Sequence, residues 1–270
     1  MRLAGRTALV TGAGRGIGAA TAARLAEDGA RVFVNDLDAS LAQSVADEIV
    51  AAGGEARAFA ADLLDVGAVD RMVASLVELW GVPDVVVNNA GTTRDRMFHR
   101  MDAETFAFGV DANLTTAVNV TRACVATMRS AAKVEIERAG SPSHVRKIVF
   151  TSSVAALTGN PGQANYTAAK GALIALAKTL AQELGAFGIT VNVVAPGFVE
   201  TRLTAANDDG RGDLGIPSSV REQVRGLIAL GRLGQPSDIA AVHAFLASSD
   251  SDFMSGVTLP VTGGQFGGMG

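Results

Sequence analysis

Five short runs of apolar, mostly β-branched residues recur along the chain: residues 7–11 (TALVT), 31–35 (RVFVN), 84–88 (DVVVN), 147–151 (KIVFT) and 189–194 (ITVNVV). A strand with one face in water alternates apolar with polar positions. These runs are apolar nearly throughout, which predicts strands buried on both faces. Residues 56–60 read as a further strand. Between the runs, apolar residues return at helical spacing over 19–28, 41–52, 66–80 and 168–184. Strand and helix therefore alternate. Parallel strands need crossovers of about a dozen residues, and right-handed crossovers stack helices on both faces. The expectation is an α/β fold: a single doubly wound, Rossmann-type domain over residues 1–270, with a parallel sheet of about seven strands. Two stretches break the rhythm. Residues 129–146 are charged and carry Gly140, Ser141 and Pro142, and predict a helix extension plus a surface loop. Residues 204–219 are polar and glycine-rich, and read either as a lid over a ligand or as plain surface loop.

Composition narrows the classes. The chain of 270 residues is 48% hydrophobic and 19% charged, with 31 glycines and 7 prolines, so it can build a core. Lys plus Arg number 23 against 27 Asp plus Glu, a net charge of -4. That offers no cationic field for a phosphate backbone, and no nucleic-acid partner is expected. No apolar stretch approaches the roughly 18 to 20 residues of a membrane span, and residues 1–6 lead straight into a strand, so a cytoplasmic protein without membrane attachment is expected. Cys124 is the only cysteine, and His99, His144 and His243 lie far apart without ligand-like spacing. No disulfide and no metal site are expected.

After the first strand comes Thr11-Gly12-Ala13-Gly14-Arg15-Gly16-Ile17-Gly18, leading into an alanine-rich helix. Such a turn lets backbone N–H groups and the positive end of a helix meet a diphosphate, and the missing Cβ atoms let it approach. The same glycines would also serve tight packing of helix on strand. A Lys-Ser/Thr pair is absent, which rules out a P-loop. Asp36 closes the second strand, 18 residues beyond Gly18. Its carboxylate suits the two hydroxyls of an adenine ribose and opposes a 2′-phosphate, which favours NAD(H); otherwise Asp36 caps the next helix. Arg15 could partly accommodate a 2′-phosphate and leaves NADP(H) open.

Ser152 and Ser153 follow the 147–151 strand, Tyr166 lies 13 residues beyond Ser153, and Lys170 lies one helical turn after Tyr166. A free phenol has a pKa near 10, and a neighbouring ammonium is expected to lower it by favouring the phenolate. Tyr166 would then exchange a proton with a carbonyl oxygen that Ser153 also hydrogen-bonds. Alternatively, Tyr166 and Lys170 form an ordinary surface pair.

Jointly, T-G-x-x-x-G-I-G, Asn88-Asn89-Ala90-Gly91, Asn113, Ser153, Tyr166-x-x-x-Lys170 and Pro196-Gly197 resemble the short-chain dehydrogenase/reductase family over nearly the whole chain. Residues 159–166 (GNPGQANY), 194–201 (VAPGFVET) and 230–236 (LGRLGQP) are similar to its 3-oxoacyl-[acyl-carrier-protein] reductase branch. The resemblance implies interconversion of a ketone, foremost a 3-oxoacyl thioester, with its secondary alcohol. It also implies that Asn113 kinks its helix and holds a water in a proton relay from Lys170; read from the residues alone, Asn113 is a cap. Asp62 would meet the adenine with Leu63 packed nearby, although Asp62 also reads as a helix cap. Asn89 and Gly91 would lie against the cofactor, with Tyr166 and Lys170 touching it as well. Val199 and Thr201 would contact the nicotinamide amide.

The match has gaps. Members of this branch generally pair with NADPH, which Asp36 opposes, and they carry a basic residue where this chain has Phe187, before Gly188. Arg129, Lys133, Arg138, Arg146 and Lys147 could restore a basic surface for an acidic acyl carrier protein. Glu135 and Glu137 interleave with them, and a solvated charged face at the amino edge of the sheet is the expectation. A coenzyme A thioester, a steroid or another hydrophobic alcohol therefore stays open as the substrate. So does a silent dinucleotide sensor or scaffold, against which the intact Ser153, Tyr166 and Lys170 argue. Helices over 102–128 and 165–184 carry surplus small and apolar residues, and the resemblance implies pairing in a homotetramer.

Overall fold

The structure is a computed structural model describing residues 1–208 and 215–265. The first half runs β1 (Thr7–Val10), α1 (Gly16–Glu27), β2 (Arg31–Asp36), α2 (Ala39–Ala51), β3 (Glu55–Ala60), α3 (Val66–Trp80) and β4 (Val85–Asn88). Next come α4 (Ala103–Val110), α5 (Thr116–Ala139), β5 (Arg146–Thr151), α6 (Ala155–Thr158), α7 (Ala164–Leu184) and β6 (Ile189–Pro196). The described chain ends with α8 (Ser218–Leu227), α9 (Pro236–Ala247) and β7 (Thr258–Val261). Helix starts follow local chemistry. Asp38, Asp65 and Asp102 cap α2, α3 and α4 by accepting backbone N–H groups of their first turns.

The strands form one parallel sheet in the order β3-β2-β1-β4-β5-β6-β7. Period-two alternation sends successive strand residues to opposite faces, which is why the middle positions of β1, β2, β4 and β5 are apolar. Ala8, Val10, Val32, Val34, Val85 and Val87 pack under α1, α2 and α9, whereas Leu9, Phe33, Val86, Ile148 and Phe150 pack under α3, α5 and α7. The order in which strands are added reverses between β1 and β4. That switch point opens a crevice at the carboxyl ends of the strands, where ligands bind in folds of this kind. The turn after β1 and Asn89-Ala90-Gly91 after β4 face each other across it.

The expected doubly wound architecture is present, with three corrections. β7 was not located from sequence, since it is short, partly exposed and contains Pro260; it is an edge strand, the one sheet position that tolerates proline. The helix expected over 102–128 is broken by a π-helical turn, Asp111–Thr115. The solvated charged face expected for 129–146 is present at Arg129, Lys133, Glu137 and Arg138, which are exposed, and is corrected only at its end. Residues 129–139 extend α5, but Arg146 and Lys147 are buried, paired with Glu135 at 2.6 Å and Asp252 at 2.6 Å, while Arg129 lies 4.7 Å from the Phe187 ring centroid. Of the 204–219 stretch, residues 209–214 lie outside the described residues. The parts on either side are tied down: Asp208 accepts the Ser218 N–H and hydroxyl, each at 2.6 Å, and Arg221 pairs with Glu200 at 2.7 Å. Among the described residues, no helix is long and apolar enough to cross a membrane.

Arg146 holds the Glu135 carboxyl down to about 2, so the pair's contribution is complete above the ordinary value of 4.5 and is lost as pH falls toward 2. Glu135→Ala leaves the Arg146 charge buried without its partner and should cost about 2–3 kcal/mol at neutral pH. Denaturant titrations should show that difference narrowing between pH 4.5 and 2; a difference independent of pH would refute the assignment.

Candidate active site

The crevice is built first by a steric constraint. Gly12 has φ +58°, and a methyl on it would stand 2.7 Å from Ala90 Cα; a methyl on Gly18 would stand 2.1 Å from the Gly12 carbonyl oxygen. Only glycine lets α1 begin so close to the β1–β4 junction. Thr11 ties that junction, its hydroxyl receiving the Asn89 and Ala90 N–H groups at 3.1 Å, and Asn89 Nδ2 donates to the Thr11 and Gly12 carbonyls, each at 3.1 Å. Helix α1 starts after Arg15 with no side-chain cap and no acidic residue in its first turn. Its positive end is thus left for an anion, the arrangement a diphosphate requires. Arg15 is exposed, and Ile17 packs partly against the core.

At the far end of β2, Asp36 is buried and accepts the Gly14 N–H at 2.9 Å and the Asp38 N–H at 3.1 Å. The alternative in which Asp36 caps α2 is corrected: Asp38 holds that position. The Ser40 hydroxyl and N–H groups, with help from the Arg15 charge, keep the Asp38 carboxyl below the ordinary range. Asp62 is exposed and accepts the Leu64 N–H at 2.9 Å; it does not cap α3, which Asp65 does. Leu63 is buried in the core, its carbonyl receiving Asn119 Nδ2 at 3.0 Å.

The opposite wall carries Ser153, Tyr166 and Lys170. Lys170 is buried, and its ammonium donates to the Thr151 carbonyl at 2.8 Å, while Ser152 donates to the Lys170 carbonyl at 2.8 Å. Loss of water pushes the Lys170 pKa down to about 8, so the group still carries its proton at neutral pH. The phenol of the half-buried Tyr166 lies near enough to the Ser153 hydroxyl for that group to lower its proton affinity. The expected lowering of this phenol by Lys170 is corrected. Its proton affinity lies above the usual value because burial dominates, the Ser153 hydroxyl opposes that rise, and the negative charge of Asp95 adds to it. The lysine nitrogen lies 5.7 Å from the ring centroid and points at Thr151.

Asn113 is not a cap. It sits in the π-helical turn, fully buried, with Nδ2 donating to Thr92 and Gly109 carbonyls at 2.8 and 2.9 Å and Oδ1 without a protein partner. A methyl on Gly91 would stand 2.4 Å from that Oδ1 and 3.1 Å from Lys170 Nζ, so both polar atoms border Gly91. The Thr201 methyl abuts Gly16 at 3.5 Å from where its Cβ would be, which places Thr201 on the phosphate side of the crevice. The Val199 side chain instead faces the core, leaving only its backbone for a ligand. Missed from sequence were Asp95 and Gln163, hydrogen-bonded at 2.8 Å beside the tyrosine. Asp95 sits in a polar loop and carries no motif signal.

A family model described as enoyl-(acyl carrier protein) reductase matches residues 12–265. The chain is 39% identical over 262 residues to the 3-oxoacyl-[acyl-carrier-protein] reductase FabG of Staphylococcus aureus, covering 97% of this chain and 98% of that protein. It is 37% identical over 264 residues to the FabG of Thermotoga maritima, covering 98% and 99%, and 39% identical over 269 residues to that of Pseudomonas aeruginosa, again covering 98% and 99%.

The steric argument at the glycine turn is directly testable. Gly18→Ala should force α1 away from the junction, destabilise the fold by about 1–3 kcal/mol as overpacking does, and abolish calorimetric binding of NADH. Undiminished affinity would show that the turn is not the cradle.

Proposed function

The chain belongs to the short-chain dehydrogenase/reductase family, and from that premise we propose that it reduces a 3-oxoacyl thioester to the 3-hydroxyacyl thioester with NADH. One observation carries the reading: the Ser153 hydroxyl neighbours the Tyr166 phenol beside buried Lys170, across the crevice from the uncapped amino end of α1. Members of this family use a nicotinamide dinucleotide, and the residues present fit one. The first turn of α1 would take the diphosphate, Asp36 the adenine ribose, Asp62 and Leu63 the adenine edge, and Asn89, Gly91, Val199 and Thr201 the nicotinamide half.

When bound, the reduced nicotinamide supplies a hydride to the carbonyl carbon. The developing charge on the carbonyl oxygen is met by this chain's own groups. Tyr166 donates its phenolic proton to that oxygen, and the Ser153 hydroxyl donates a hydrogen bond to the same atom. The raised phenol keeps Tyr166 in the donor form across the physiological range. Lys170, protonated at neutral pH, stabilises the phenolate left behind. Asn113 Oδ1 is an open acceptor beside the lysine, suited to a water that continues the relay.

The choice of NADH rests on charge. Asp36 and Asp38 both face the adenosine end, and Arg15 shares its charge with Asp38. A 2′-phosphate would bring about two negative charges beside a carboxylate, a penalty of several kcal/mol at an effective dielectric of about 20. The thioester reading follows the printed names of the relatives, and Arg129 over Phe187 supplies a cation near the position where basic residues are expected.

With acetoacetyl-CoA and NADH, Tyr166→Phe should lower kcat/KM by about 10²–10⁴-fold; turnover equal to wild type would refute the assignment. Calorimetry should find NADH bound at least about tenfold more tightly than NADPH, with Asp36→Ala narrowing the ratio. Tighter NADPH binding by the wild type would overturn the role given to Asp36.

A further inference from the structure

Between β4 and α4, residues 92–96 form a strap that two buried asparagines hold in the same way. Asn113 Nδ2 donates to the Thr92 carbonyl of the strap at 2.8 Å and to the Gly109 carbonyl of α4 at 2.9 Å. Asn165 Nδ2 donates to the Arg94 carbonyl of the strap at 3.2 Å and to the Thr105 carbonyl of α4 at 2.9 Å. The carbonyls taken lie two residues apart on the strap and four apart on the helix. Two residues of extended chain reach about 7 Å and four of helix rise about 6 Å, so strap and helix keep step between the two side chains. Each carboxamide is a rung between them, and both are fully buried.

The rungs differ in their oxygens. Asn113 Oδ1 has no protein partner, whereas Asn165 Oδ1 accepts the backbone N–H of Tyr166 at 2.8 Å. Tyr166 is the third residue of α7, and the first N–H groups of a helix have no carbonyl of their own helix to bond. Gln163, which precedes the helix, gives no side-chain cap. Asn165 does that work from inside the first turn, and its two N–H groups tie the same turn to the strap and to α4. Helix α4 makes room for it: a methyl on Gly109 would stand 2.6 Å from both Cβ and Nδ2 of Asn165. Two further bonds flank the rung, the Arg96 N–H donating to the Gly162 carbonyl and Gln163 Nε2 to Asp95, each at 2.8 Å.

We propose that Asn165 is a positioning residue for proton transfer: it fixes the backbone of Tyr166 to the strap that Asn113 also holds, so that the phenol keeps one register against the Asn113–Lys170 border at Gly91. The inference deepens the reading of Tyr166 as the proton donor and rests on it. Asn165 acts through Tyr166 alone, since its oxygen and both its N–H groups are already engaged by backbone. Without it, the first turn of α7 loses its buried tie and the donor oxygen shifts relative to the substrate. A displacement of about 1 Å at a reacting group can cost about a hundredfold in rate. The groups assigned to the diphosphate and adenosine lie on α1 and β2 and do not touch Asn165, so the cost falls on turnover and not on cofactor binding.

Asn165→Ala removes the acceptor and both donors. With acetoacetyl-CoA and NADH its kcat should fall by about 10- to 100-fold, while calorimetry returns the wild-type affinity for NADH. Because the proton donor is then out of place, the solvent deuterium isotope effect on kcat should rise above that of the wild type. Asn165→Ser keeps a short hydroxyl at the site and should recover part of the lost kcat; if the alanine variant does not fold, the serine variant decides alone, by a kcat below wild type at unchanged NADH affinity. Wild-type kcat and isotope effect in the folded variant overturn the proposal. So does a fall in kcat matched by an equal loss of NADH affinity, which would mark Asn165 as a general support of the fold. Full activity in Tyr166→Phe would sink the assignment of Tyr166, whereas inactive Tyr166→Phe with wild-type turnover in Asn165→Ala would sink only the role of Asn165.

Discussion

The close approach of α1 to the β1–β4 junction is the constraint on which the site depends. With the Gly12 carbonyl 2.1 Å from where a Gly18 Cβ would lie, no other residue type leaves room for the helix to begin there. Because the helix begins there, its positive end opens at the switch point instead of being buried against a strand. The same junction sets the position of Gly91, and through it the border shared by Asn113 and Lys170. The open helix end and the Asn113–Lys170 border are thus two faces of one packing decision, made where sheet order reverses.

Burial, more than neighbouring charge, sets the proton affinities of the wall opposite. Lys170 is depressed to about 8 and Tyr166 is raised, so the two values move apart and the lysine is the more readily deprotonated of the two. Desolvation disfavours the charged form of each, which acts in opposite directions on a cation and on an acid that ionises to an anion. An arrangement in which the lysine simply pulled the phenol down would have left Tyr166 partly ionised and less able to donate.

Much of this was legible in the sequence, and what was not has physical reasons. Strands β1, β2, β4, β5 and β6 announce themselves because parallel strands buried on both faces read as near-continuous apolar runs, while the edge strand β3 alternates exposed Glu55 and Arg57 with its alanines. Ser153, Tyr166 and Lys170 were readable because their spacing follows from a strand end and one helical turn. The π-helical turn at Asn113 was not, since no residue type encodes the slipped hydrogen-bond register; only the resemblance pointed to it. Arg146 and Lys147 read as solvated charges because their partners, Glu135 and Asp252, come from a preceding helix and a distant loop. Asp95 was invisible for the same reason: its meaning lies in a hydrogen bond to Gln163, 68 residues on.

One buried contact links the two halves of the crevice from behind. His243 on α9 is fully buried, with Nδ1 2.9 Å from the Thr21 hydroxyl of α1 and Nε2 3.3 Å from the Thr151 hydroxyl of β5. Burial lowers its pKa to about 3, so the ring is neutral and one nitrogen donates while the other accepts. Thr151 also supplies the carbonyl that receives Lys170 Nζ. A shift of α1 is therefore felt at the residue that positions the lysine, through a bridge whose two hydrogen bonds cannot both persist if either partner moves far. Because burial keeps the imidazole neutral over the working pH range, that bridge keeps its geometry whatever the protonation state of Tyr166 and Lys170 in front of it.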